Sequence, residues 1–225
     1  MYSFIDYDKK VHRLIPSKFP PVSLFDWADS AEELEQIALL EGLTNERIQA
    51  EYGRINLISK EDWVGSPGAT PLMAAFCHIG FPSRFSDGSY GVYYAASSLD
   101  TAIKETVYHR ERFYRASNEK TCSISMREYI ASITKPVVDI TSKVYSELLN
   151  PDPAFYDTSQ KFGKKIRDEK HWGIFYPSIR NQGGLCMAIF RPPALTIPVQ
   201  GCHLRYIWNG DHISEVYAES KIVNF

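Results

Sequence analysis

Four polar side chains, Arg84, Tyr94, Glu105 and Ser178, are the strongest candidates for chemistry in this sequence. Arg84 precedes a turn signal, Tyr94 falls in an apolar segment, and Glu105 lies in the second turn of the helix predicted next. Ser178 ends a predicted strand far downstream. A guanidinium offers a planar fork of donors for phosphate oxygens, and a carboxylate can stabilise positive charge that develops in a transition state. The strand-to-helix junction can bring Arg84, Tyr94 and Glu105 to one cleft.

The motifs of several large enzyme classes do not occur in the sequence. There is no G-x-x-x-x-G-K-[ST] phosphate loop, no G-x-G-x-x-G after a strand, no H-E-x-x-H and no G-x-S-x-G. The six histidines show no i, i+4 pair, and the four cysteines show no C-x-x-C spacing. P-loop NTPases, Rossmann dehydrogenases, zincins and α/β-hydrolases are therefore disfavoured, and we expect no metal. A site must be assembled from dispersed residues.

Composition indicates an ordinary globular protein. The 225 residues are 44% hydrophobic and 23% charged, with a net charge of -2 that gives no global field toward nucleic acid or an acidic membrane. No run of 18 apolar residues occurs, and Asp6 and Asp8 stand where a signal peptide would carry its apolar core. We expect a single domain, 1–225, located in the cytoplasm, without direct binding to nucleic acid or membrane.

Periodicity and turn signals divide the chain into a mainly helical region, 1–80, and a sheet-rich core, 81–225. Helices are predicted over 29–42 and 44–53, after Thr70, over 98–117 with Ser98 as N-cap, and over 159–170. Apolar segments predict strands at 90–97, 121–126, 136–141, 173–178, 184–190, 195–200, 202–208 and 212–219. This mixture predicts an α/β or α+β fold around a central sheet with flanking helices.

Three separated stretches resemble the RES-domain family, which is named for its Arg, Glu and Ser and whose members are toxins of RES–Xre toxin–antitoxin pairs. They are Val11–Pro16 (VHRLIP), the block from Arg84 to His109, and Phe175–Ile179 (FYPSI). The block is the most specific, because its turn, strand and helix start occur in order at the family's spacing. The family pattern has Gly-Arg-Trp-Asn where this chain has Ser-Arg-Phe-Ser at 83–86.

The resemblance implies an ADP-ribosyltransferase-like fold, an Xre-type helix-turn-helix antitoxin as partner, and cleavage of the nicotinamide–ribose bond of NAD. ADP-ribose would pass to water, phosphate or a protein target. Arg84, and also Arg13, would bind the pyrophosphate. Glu105 would stabilise the oxocarbenium-like ribose, Tyr94 would orient the nicotinamide, and Ser178 would hold the amide or ribose.

Two other functions stay open from the sequence. A catalytically silent relative would keep the cleft for binding NAD or a partner, and the altered 83–86 segment is the feature that favours it. A nucleic-acid-binding module would use the basic stretch 109–115, but its glutamate and helical spacing are more typical of a solvated, salt-bridged helix face.

Overall fold

A computed structural model describes residues 1–17, 58–77, 79–220 and the single positions 33, 36 and 222. Within these residues nine strands form one sheet, in the order β1-β5-β6-β7-β3-β2-β4-β8-β9. Neighbouring strands are antiparallel except for the parallel pair β5 and β6. The strands are β1 Phe4–Ile5, β2 Lys10–Pro16, β3 Tyr93–Ala96, β4 Cys122–Ser132, β5 Val137–Asp139, β6 Gly173–Pro177, β7 Leu185–Ile189, β8 Val199–Trp208 and β9 Ile213–Glu219.

Helices cover both faces of the sheet. The α-helices of the described part are α1 Thr70–Cys77, α2 Leu99–Ala116 and α3 Asp157–Asp168, and short 3-10 helices occupy Lys60–Asp62, Lys143–Leu149, Pro153–Phe155 and Pro192–Ala194. One buried apolar cluster packs α2 and α3 on one face, and a second packs α1 on the other. The predicted α/β fold with a central sheet and flanking helices is confirmed.

Helix α2 begins where the sequence predicts. The Ser98 Oγ accepts a hydrogen bond from the Thr101 backbone N–H at 3.2 Å, which satisfies one of the free donors of the first turn. Thr101 and Ala102 are buried against the sheet, and later turns are more exposed. Because α2 follows β3 after two residues, the position of Glu105 is fixed by the strand as well as by the helix.

The first 17 residues differ from the mainly helical region that we expected for 1–80. They form β1 and β2, and β2 pairs with β4 over all seven of its residues, from Lys10–Ser132 to Pro16–Met126. The buried positions Val11 and Leu14 pack on opposite faces of the sheet, a pattern that suits a central strand and no helix. The helices predicted over 29–42 and 44–53 lie outside the described residues, except that Glu33 and Gln36 are helical.

The sheet opens between β2 and β3. These strands share one registered pair, His12–Ala96, whereas β3 pairs with β7 over four residues and β2 with β4 over seven. Beyond this pair the two strands separate, and a cleft forms in the opening.

None of the helices in the described part of the chain combines the length and the apolar composition that a membrane span requires.

Candidate functional site

The cleft has a volume of about 660 Å³, which lies in the usual range for small-ligand pockets. Its walls come from β2, β3, α2, the 82–84 loop and the start of α3. Four of the five residues proposed from the sequence line it, namely Arg13, Arg84, Tyr94 and Glu105. The fifth, Ser178, reaches the site through a hydrogen bond to Glu105. The structure therefore brings all five together.

Arg84 is buried and held by the segment before α3. Its guanidinium donates to the carbonyl oxygens of Leu148 at 3.3 Å and Asn150 at 2.8 Å, and to the Tyr156 hydroxyl at 3.1 Å. The guanidinium carbon also lies 4.5 Å from the centre of the Tyr156 ring, in a cation–π contact. Three of its five N–H donors are thus used by the protein, and these bonds leave two donors unused.

Tyr94 fixes the loop that carries Arg84. Its hydroxyl accepts a hydrogen bond from the Phe85 backbone N–H at 3.0 Å and lies 2.8 Å from the Ser83 hydroxyl. Burial raises the pKa of Tyr94 to about 12, so the phenol is neutral at physiological pH. The hydroxyl is used within the protein, and what Tyr94 offers to a ligand is the side of its ring.

Glu105 and Ser178 form a tight pair. The Ser178 Oγ donates to Glu105 Oε1 at 2.6 Å, and it accepts from the backbone N–H groups of Arg180 at 3.2 Å and Asn181 at 3.0 Å. Because those N–H groups occupy the lone pairs of the serine oxygen, its hydrogen points to the carboxylate. Ser178 therefore orients Glu105. The nearby Cys186 thiol, 3.7 Å from Glu105 Oε1, has its pKa raised by burial and stays protonated.

Arg13 enters the cleft from the opening in the sheet. Its Nη1 donates to the Tyr94 carbonyl at 3.0 Å, and its guanidinium carbon lies 4.7 Å from the centre of the Tyr93 ring. Its Nε is buried and makes no hydrogen bond to any described residue. Burial lowers the pKa of Arg13, because removing a cation from water disfavours its charged form.

Three more arginines line the same cleft, Arg110 and Arg112 from α2 and Arg180 from the segment after β6. The guanidinium carbon of Arg180 lies 3.4 Å from the centre of the Tyr108 ring. The described lining therefore holds five arginines but a single carboxylate, Glu105. A cleft with this charge favours an anionic ligand.

A comparison with protein-family models matches residues 54–209 to the RES domain. The chain belongs to the RES-domain family. It is also 29% identical over 212 residues to the uncharacterized protein y4oC of Sinorhizobium fredii, covering 92% of this chain and 86% of that protein. The chain is also similar to one chain of a solved structure, the M. tuberculosis MbcT–MbcA toxin–antitoxin complex, with a TM-score of 0.45 and 11% sequence identity. The match covers 92% of this chain and 87% of that chain.

Sequence reasoning missed the arginines on α2 and after β6 in this RES domain. The stretch 109–115 was expected to be a solvated face, and the exposed Arg115 does pair with Glu111 at 3.2 Å. Arg112, however, lies seven residues after Glu105, and this spacing places both on one side of a helix. That spacing was the signal that could have identified it. Arg180 carried no comparable signal, because the turn after β6 determines its position.

Proposed function

We propose that this RES domain is a toxin that cleaves the nicotinamide–ribose bond of NAD. The observation that carries the proposal is the oriented carboxylate of Glu105, held by Ser178 in a cleft lined by five arginines. A dinucleotide supplies two complementary features, an anionic pyrophosphate for the guanidinium groups and a ribose that becomes cationic as its bond breaks.

The chemistry requires no strong nucleophile from the protein. Arg84 and Arg13 bind the pyrophosphate through their remaining donors. As the C1′–N bond breaks, its electron pair moves to the nicotinamide nitrogen, which neutralises the pyridinium and leaves positive charge on the ribose. Glu105 stabilises that charge more in the transition state than in bound NAD, so the interaction raises the rate. ADP-ribose then passes to water, phosphate or a protein target.

The proposed partner is an Xre-type helix-turn-helix antitoxin, as for other RES-domain toxins. A toxin that consumes NAD must be silenced in the cell that makes it, and a partner that covers the basic cleft would do so. Such a protein would act in the cytoplasm, where its substrate and its antitoxin are both present. Co-expression with a neighbouring helix-turn-helix gene tests the pairing: rescue of growth supports it, and persistent toxicity refutes it.

Nicotinamide release from NAD tests the activity. Glu105→Gln keeps the size of the side chain and removes its charge, so we expect release to fall by about 100-fold or more. The matched control is Glu119→Gln, because that carboxylate is exposed beyond the end of α2. Arg84→Lys should raise KM, because a point charge replaces a planar fork. Equal turnover in Glu105→Gln and the wild type would refute the proposed site.

One observation supports a second function, a catalytically silent protein that binds NAD or a partner. Arg84 already gives three donors to the protein, so its burial has a structural explanation without catalysis. Calorimetry of NAD binding, combined with the nicotinamide assay, separates the two functions. The silent protein binds NAD and releases no nicotinamide with water or phosphate as acceptor, whereas the enzyme binds NAD and releases nicotinamide.

A further inference from the structure

A buried carboxylate, Glu128, lies beside the cleft and has no part in the proposed bond cleavage. Its side chain is 5% exposed. It projects from β4 at a bulge, where the register with β8 passes from Arg127–His203 to Tyr129–Gln200. Bulges of this kind redirect side chains next to functional sites, and buried carboxylates are kept only where they are well bonded.

The bulge holds this carboxylate in one position through specific contacts. Oε2 accepts from the Cys202 backbone N–H at 2.9 Å and lies 3.1 Å from the Cys202 thiol. A Cβ at position 201 would lie only 2.1 Å from Oε2, so glycine there leaves the space that the carboxylate fills. Glu128 is therefore ionised and fixed, with Oε1 free for a further partner.

That partner is His12 of β2, whose Nδ1 lies 2.6 Å from Glu128 Oε1. An ionised carboxylate can only accept, so Nδ1 carries the hydrogen, and in the neutral ring Nε2 keeps a lone pair. The imidazole is 20% exposed and lines the same cleft as Glu105. A carboxylate that fixes the tautomer and orientation of a histidine is the arrangement of a general base.

We infer that His12, oriented by Glu128, is the base that activates a neutral O–H acceptor for ADP-ribose. The inference rests on the proposed function, which leaves the acceptor open. As nicotinamide leaves C1′ with the electron pair of the C–N bond, the acceptor oxygen bonds to C1′ and its proton moves to His12 Nε2. The proton is later released to solvent. His12 is catalytic in this step, and Glu128 is a positioning residue.

Azide provides the decisive test, because it is an anion that attacks without losing a proton. Nicotinamide release with water as acceptor should fall by about 100-fold in His12→Gln, whose amide can still bond Glu128. Sodium azide should restore release in that variant and yield ADP-ribosyl azide. Glu128→Gln and Gly201→Ala should show smaller losses with the same rescue. The exposed His212→Gln is the matched control and should match the wild type.

The outcomes separate this inference from the proposed function. An active wild type with an equally active His12→Gln, or a weakened His12→Gln that azide does not rescue, overturns the inference alone. A wild type that releases no nicotinamide overturns both. If His12→Gln does not fold, azide rescue of Glu128→Gln supports the inference and its absence refutes it.

Discussion

The substitution Gly163→Ala tests how the cleft is built, because α3 packs directly on the loop that carries Arg84. A Cβ at position 163 would lie 2.3 Å from the Phe85 carbonyl oxygen and 2.8 Å from the Phe85 Cβ. Ordinary contact begins at about 3.4 Å, so the helix or the loop must move by roughly 1 Å. Phe85 has no room to retreat, since it is fully buried and its ring packs 5.0 Å from that of Tyr176.

Two opposed effects set the size of the change. Alanine in place of glycine inside a helix favours folding by about 0.8–1 kcal/mol. Overpacking of a well-filled core costs about 1–3 kcal/mol, and a clash with backbone belongs to the upper part of that range. We therefore expect Gly163→Ala to lower the free energy of unfolding by about 1–2 kcal/mol.

Urea denaturation measures the stability, and steady-state nicotinamide release measures the effect on Arg84. Gln160, one turn before Gly163, donates to the Ser83 carbonyl at 2.9 Å, so a displaced helix should also shift the loop and raise KM for NAD. Lys164→Ala is the matched control on the exposed side of α3 and should change stability by less than about 0.5 kcal/mol. A Gly163→Ala protein that is more stable than wild type, with unchanged KM, would refute this reasoning.

Two further predictions concern the titratable groups. Burial alone would raise the pKa of the Glu128 carboxyl, but the hydrogen bonds from Cys202 and His12 outweigh burial and lower this pKa. The ionised carboxylate therefore stabilises the fold above the unfolded-state pKa of about 4.3. This stabilisation is lost as pH falls through the pKa of the folded state. The difference in unfolding free energy between wild type and Glu128→Gln should therefore shrink from pH 7 to pH 3, and a constant difference would contradict this. Iodoacetamide at neutral pH should label the partly exposed Cys122 before Cys186, whose thiol is buried with a raised pKa, as read by mass spectrometry. Early labelling of Cys186 would show that the cleft contains a reactive thiol.

The sequence predicted the centre of the molecule well because its signals there are local. Ser98 as a cap, the apolar strand before it and the helix after it depend on residues within a few positions of one another. The site residues Arg84, Tyr94 and Glu105 belong to that block, so their convergence followed from one strand-to-helix junction. The family resemblance added Ser178, whose contact with Glu105 joins segments far apart in the chain.

The parts that sequence reasoning missed depend on contacts between distant strands. The helical expectation for 1–80 failed over the first 17 residues, because the role of β2 is decided by its pairing with β4 more than a hundred positions later. The position of the Glu128 carboxylate depends on a bulge in β8 and on the glycine at 201. Neither feature can be recognised from the neighbouring residues in the sequence. His12 entered the sequence analysis only as part of the stretch 11–16, since no neighbouring residue indicates which carboxylate it contacts.

The opening of the sheet explains why these groups meet at one place. Where β2 and β3 stop pairing, the Arg13 guanidinium of β2 donates a hydrogen bond to the Tyr94 carbonyl oxygen of β3. A cationic side chain thus bonds a backbone group at the opening between the two strands. One residue before Arg13, at the single pair that β2 and β3 share, His12 faces Ala96 of β3. Successive residues of a strand point to opposite faces, so Arg13 and His12 reach the opening from its two sides. In the proposed function, this single interruption in strand pairing supplies both the Arg13 guanidinium that holds the anionic substrate and the His12 imidazole that takes the proton of the acceptor.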